Sequence, residues 1–90
     1  MVTVNFTPNL RRHVNCPTTQ VEGETVAEVL DKVFEAEPLL RGYVLDEQGI
    51  LRKHMIIFLN GTALKDRKRL SDPVPNTDSE IFVMQALSGG

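Results

Sequence analysis

The chain has 90 residues, 41% of them hydrophobic and 24% charged, and its ten Lys and Arg against twelve Asp and Glu leave a net charge of -2. A chain this short buries only roughly 60–65% of its unfolded surface, which allows one small core and no second domain. The near balance of charge argues against a nucleic-acid binder, and no apolar run approaches the ~20 residues that would span a membrane. Val2, Val4 and Phe6 alternate with Thr3, Asn5 and Thr7, the period of a half-buried strand, which Pro8 ends. A loop containing His13 and Cys16 follows, then a second β-favouring piece over residues 18–21 and a short connection, Glu22-Gly23-Glu24.

Thr25 with Glu28 forms a capping box at the start of the clearest element. Val26, Val29, Leu30, Val33 and Phe34 recur on one helical face, with Glu28, Asp31, Lys32 and Glu35 on the other. Pro38 cannot continue that helix, which predicts a length of about 12 residues. Residues 38–54 are less regular and contain the turn signal Asp46-Glu47-Gln48-Gly49. Residues 55–59 are continuously apolar, as in a strand covered on both faces. Asn60-Gly61 is the strongest short turn signal. Lys65, Arg67, Lys68 and Arg69, interrupted by Asp66 and followed by Asp72, read as a solvated loop. Ile81, Phe82, Val83 and Met84 predict a central last strand. Two strands, a helix and further strands belong to the α+β class, and a β-grasp is one of several arrangements this order permits.

Chemistry inside the domain is sparse. The glycine-rich phosphate loops, the zinc-protease helix motif and the serine-hydrolase elbow are missing. Cys16 is the single cysteine, which excludes an internal disulfide and points to a reducing compartment, so that a cytoplasmic location is expected. His13 and His54 have no metal-like spacing to each other or to Cys16. Asp46/Glu47 and Glu35/Glu37 read as solvated surface. No bound cofactor or metal is expected, and a free-standing enzyme is disfavoured because so small a domain lacks a closed pocket.

The remaining feature is the end, Gln85-Ala86-Leu87-Ser88-Gly89-Gly90. Glycine lacks Cβ, so Gly89 and Gly90 fit a channel too narrow for any side chain. A terminal carboxylate is ionised at neutral pH and is a poor electrophile. Activation as an acyl-adenylate supplies a leaving group, and a sulfur nucleophile can then displace it to leave a thiocarboxylate. Residues 1–86 are expected to form the domain and 87–90 a flexible tail.

Arg41, Leu45-Asp46-Glu47, Gly49, Leu51-Arg52, His54, Phe58-Leu59-Asn60-Gly61 and the terminal Gly89-Gly90 together resemble the MoaD/ThiS family of ubiquitin-like sulfur carriers. The resemblance runs over nearly the whole chain. It implies a β-grasp, a mixed sheet of four to five strands with one main helix on one face. It also implies adenylation and thiocarboxylation of Gly90, with Gly89 giving passage. ATP and Mg would be used by the partner, an E1-like adenylating and sulfurtransferase enzyme. A downstream sulfur-using enzyme, such as a molybdopterin synthase large subunit or a cysteine synthase, would follow. The length of residues 39–54 favours the molybdopterin or cysteine branches over the thiamine branch. Thr77-Asp78-Ser79-Glu80 and Gln85-Ala86-Leu87-Ser88 depart from the usual family residues; the second departure bears on partner identity. Phe58, Phe82, Leu87 and Ser88 are the candidate partner-binding residues, the first two on a sheet face opposite the helix. A ubiquitin-like modifier joined to lysines through Gly90, or a non-covalent β-grasp module, are the competing readings.

Overall fold

A computed structural model describes residues 1–7 and 18–85. The described elements are β1 (Val2–Phe6), β2 (Thr19–Val21), α1 (Val26–Ala36), α2 (Pro38–Val44), β3 (Met55–Leu59), β4 (Thr62–Ala63) and β5 (Glu80–Gln85). The sheet order is β2-β1-β5-β3-β4. β1 runs antiparallel to β2 and parallel to β5, while β3 is antiparallel to both β5 and β4. The last strand therefore lies beside the first, in the centre of a five-stranded mixed sheet. This is the α+β, ubiquitin-like β-grasp arrangement expected from the resemblance.

Alternation in β1 places Val2, Val4 and Phe6 in the core. They meet the expected stripe of α1, Val26, Val29, Leu30, Val33 and Phe34, all buried. Each such side chain contributes roughly 1.5–3 kcal/mol when fully buried. Thr25 Oγ1 accepts from the Glu28 amide at 3.2 Å. The Glu28 carboxylate reaches one residue further back than an ordinary capping box, to the Glu24 amide at 2.7 Å. Gly23 admits this close turn: a Cβ there would stand 2.7 Å from Val29 Cγ2.

Two sequence expectations need correction. The chain does leave helical geometry at Glu37, but Pro38 begins α2 as well as ending α1. A first-turn proline loses no hydrogen bond because its missing N–H would have had no intrahelical partner. Leu40 and Val44, four residues apart, bury the inner face of α2, whereas Leu39 and Tyr43 stay exposed. The protein thus carries a second, shorter helix beside the main one. Nor is β3 covered on both faces. Met55 and Ile57 are buried and Ile56 and Phe58 only half-buried, so one face is open among the described residues.

The Asn60-Gly61 turn forms as expected, with φ of 51° and 85°. Positive φ at both central residues marks the hairpin turn that matches strand twist, and Gly61 adopts it without a Cβ clash.

Candidate functional site

The candidate site is a sheet face together with the strand end beside it. In β5, Ile81 and Val83 point into the core, so Phe82 and Met84 lie on the opposite face. Antiparallel register sets Phe58 directly across from Phe82, and Ile56 across from Met84. Side chains in such pairs stand about 4.5–5.5 Å apart at Cβ and cover one another, which leaves Phe58 and Phe82 half-buried. Met84 remains 37% exposed. Asn5 of β1 extends the same face beside Phe82. Residues 39–54 do not fold over this face: Leu40, Val44, Leu45 and Leu51 join the core on the helix side. The structure therefore brings Phe58 and Phe82 together. Their neighbours Ile56 and Met84 escaped the sequence reading, although the two-residue alternation that selected Phe82 also selects Met84.

Leu87, Ser88, Gly89 and Gly90 lie outside the described residues, as do His13 and Cys16. What is described is the strand that runs into them. Thr7 donates its amide to Val83 O at 3.1 Å. At the other edge of β5, Gln85 is paired with Met55. At its start, Glu80 donates its amide to Asn60 Oδ1 at 2.8 Å, and the Asn60 amide donates to Glu80 O at 2.8 Å. Asn60 Nδ2 also reaches the buried Ser79 Oγ at 3.2 Å. Strand β5 is thus fixed at both ends.

The middle block of sequence that carried the family resemblance acts on this frame. Asp46 Oδ1 accepts from the amides of Gln48 and Ile50 at 2.8 and 3.0 Å, folding the turn that Gly49 completes at φ 80°. Arg52 Nε donates to Gly42 O at 2.9 Å, tying that turn to α2.

Arg67, read from sequence as part of a solvated loop, has another role. Its Nη2 donates to the carbonyls of Arg52 at 2.9 Å and Met55 at 2.8 Å. It thereby holds the 52–55 turn next to the end of β5. Nothing in the residue pattern announces this, because the two acceptors are backbone carbonyls 12 and 15 positions away.

Asp66 and Asp72 likewise serve the backbone. Asp66 accepts from the amides of Lys68 and Arg69 and from Ser71 Oγ, the last at 2.5 Å. Asp72 accepts from the amides of Lys65 and Asp66. The Ser71 hydroxyl, and then the amides, hold the Asp66 carboxyl down to about 2.

Among the described residues no group of three or more metal-ligating side chains occurs, and no helix is long and apolar enough to cross a membrane.

No protein-family model matches the chain, and the comparison with curated proteins gives no match. Solved structures do match over the full length. CysO in the Amycolatopsis orientalis BexX/CysO complex is 22% identical, with all of both chains covered and a TM-score of 0.83. The small archaeal modifier protein SAMP1 of Haloferax volcanii is 24% identical over 99% of this chain and 98% of its own, with a TM-score of 0.78. The small archaeal modifier protein 1 of Methanosarcina acetivorans is 26% identical over 99% of this chain and 95% of its own, at 0.75. The chain has the ubiquitin-like β-grasp fold, and the small proteins it resembles at full length include archaeal modifiers and CysO.

Proposed function

We propose that this protein is a sulfur carrier whose terminal glycine, Gly90, is the reacting residue. The observation that carries this reading is the central strand β5, fixed at both ends, which runs directly into a segment ending in Gly89-Gly90. Full-length likeness to CysO in a complex with BexX supports it, because that protein is seen docked on a partner. The domain presents the tail and a docking face, and the chemistry is the partner's.

The Gly90 carboxylate attacks the α-phosphate of ATP, held with Mg on an E1-like adenylating enzyme, and pyrophosphate leaves. A persulfide of the partner then attacks the acyl carbon, AMP departs with the bonding electron pair, and an acyl disulfide joins the two chains. A second partner thiolate attacks that disulfide, leaving a thiocarboxylate on Gly90 and a disulfide on the partner. Gly89 lets the tail pass a narrow channel. The open face with Phe58 and Phe82 meets the partners, among them a sulfur-using enzyme of the molybdopterin-synthase or cysteine-synthase kind, and Leu87 and Ser88 contact them as well. The setting is cytoplasmic.

A ubiquitin-like modifier would share the first intermediate, and likeness to archaeal modifiers favours it as the second reading. Intact mass of the protein purified from its own host separates the two. A gain equal to the sulfur–oxygen difference, lost on hydrolysis, is expected for the carrier. Higher-mass lysine conjugates with no thiocarboxylate would replace it by the modifier. Pathway activity that survives removal of Gly89 and Gly90 would sink both.

A further inference from the structure

Charge is segregated along this chain. Residues 22–37 hold six acids against Lys32 alone, while residues 41–69 hold seven Lys and Arg against three acids. Of the acids in and just after the second stretch, Glu47 is exposed, while Asp46, Asp66 and Asp72 direct their oxygens at the backbone, Asp66 also at the Ser71 hydroxyl. Arg52 and Arg67 spend their guanidinium groups on carbonyls. Of the other basic residues, Arg41 is exposed on α2, and Lys53, His54, Lys65, Lys68 and Arg69 are exposed on the 52–55 turn and the 65–72 loop.

These last five residues belong to one body. The Leu51 amide donates to Arg67 O at 3.1 Å, and Arg67 Nη2 bridges back to Arg52 and Met55, so the 52–55 turn and the 65–72 loop are joined. Carboxylate-folded turns fix the backbone of the loop, so the cost of ordering it is largely met before any encounter. Lys53 and His54 immediately precede Met55, the register partner of Gln85. The basic surface therefore borders the end of β5, where the chain enters its last residues.

We propose that Lys53, His54, Lys65, Lys68 and Arg69 form a docking face for an acidic surface on the enzyme that takes up the C-terminal segment. This rests on the carrier reading above. An acidic protein surface fits better than a nucleic acid. The net charge of -2 and the acidic face of α1 would repel an extended polyanion. A confined basic patch on an otherwise acidic molecule orients the encounter, turning the tail end toward the partner.

The test uses the full chain and the host's own adenylating enzyme, purified by its chain-dependent ATP–pyrophosphate exchange. K65E/K68E/R69E is compared with K65Q/K68Q/R69Q across ionic strength. At low salt the reversal variant is expected to lose roughly tenfold or more in kcat/KM with kcat unchanged, and the neutral variant less. The difference should shrink as salt screens the faces. Wild-type exchange with both variants equal to it at every ionic strength would overturn the docking face and leave the carrier reading intact. No exchange with the wild-type chain would instead overturn the carrier reading, and the docking face with it. Micromolar binding of a mixed-sequence DNA duplex at physiological salt, lost in K65E/K68E/R69E, would assign the face to nucleic acid and also overturn the proposal.

Discussion

Replacing Arg67 with Met keeps most of the aliphatic stem and removes the guanidinium that joins the 65–72 loop to the 52–55 turn. Two hydrogen bonds disappear, to Arg52 O and Met55 O. A bond from a charged donor contributes roughly 1.5–3 kcal/mol net, and a buried acceptor left alone costs a similar amount. Arg67 is only half-buried, so water re-enters and the lower end of that range applies. The expected loss is about 2–3 kcal/mol, a large share of the 5–15 kcal/mol typical of small domains. Urea titration should show the midpoint falling by roughly 1–2 M at an unchanged slope. Amide exchange should locate the loosening at residues 52–55. Lys68→Met removes a charge from the same loop without touching those carbonyls and should stay within about 0.5 kcal/mol of the parent. If R67M matched K68M, the peg role assigned to Arg67 would be wrong.

Protonating Asp66 should loosen the 65–72 loop. Its folded pKa, about 2, lies below the ordinary 3.8, so its contribution is present above pH ~4 and fades as pH falls toward 2; Asp66→Asn should flatten the thermal midpoint over that window. Leu40 is fully buried on α2, and Leu40→Ala should cost roughly 2–5 kcal/mol in chemical denaturation, against almost nothing if residues 38–44 were an irregular loop. Gly61→Ala forces a Cβ into φ 85° and should destabilise by about 1–2 kcal/mol, visible as an earlier urea midpoint.

Features that depend on near neighbours in sequence were readable directly. The stripe of α1, the alternation of β1 and the Asn60-Gly61 turn each rest on spacings of one to four residues. The apolar run Ile81 to Met84 already marks β5 as a central strand, but its parallel pairing with β1 comes only from the family resemblance, since several topologies share this element order. A proline ends one helix and serves equally well at the first turn of the next, so Pro38 alone does not announce α2. The open face of β3 is unannounced for a different reason. A run of five apolar residues suits a doubly covered strand, and only the side taken by α1 and α2 decides that Ile56 and Phe58 are left facing outward. Arg67 and Asp66 could not be read at all, because their partners are backbone atoms brought close by the finished fold.

The open face can be tested against the core with one pair of substitutions in β5. Ile81 and Phe82 are consecutive, so they share a strand and nearly the same distance from the tail, and differ in the side of the sheet they occupy. Ile81 is fully buried, and Ile81→Ala should cost roughly 2–5 kcal/mol. Phe82 already meets solvent, and Thr is β-branched and suits a strand, so Phe82→Thr should cost only about 1 kcal/mol, chiefly through its pairing with Phe58. That leaves a folded protein in which an effect on partner loading can be measured. If the face docks on the loading enzyme, Phe82→Thr raises KM for the carrier while leaving kcat near the parent value. An unchanged KM would remove Phe82 from the docking surface. A stability loss as large as that of Ile81→Ala would mean that this side of the sheet is covered after all.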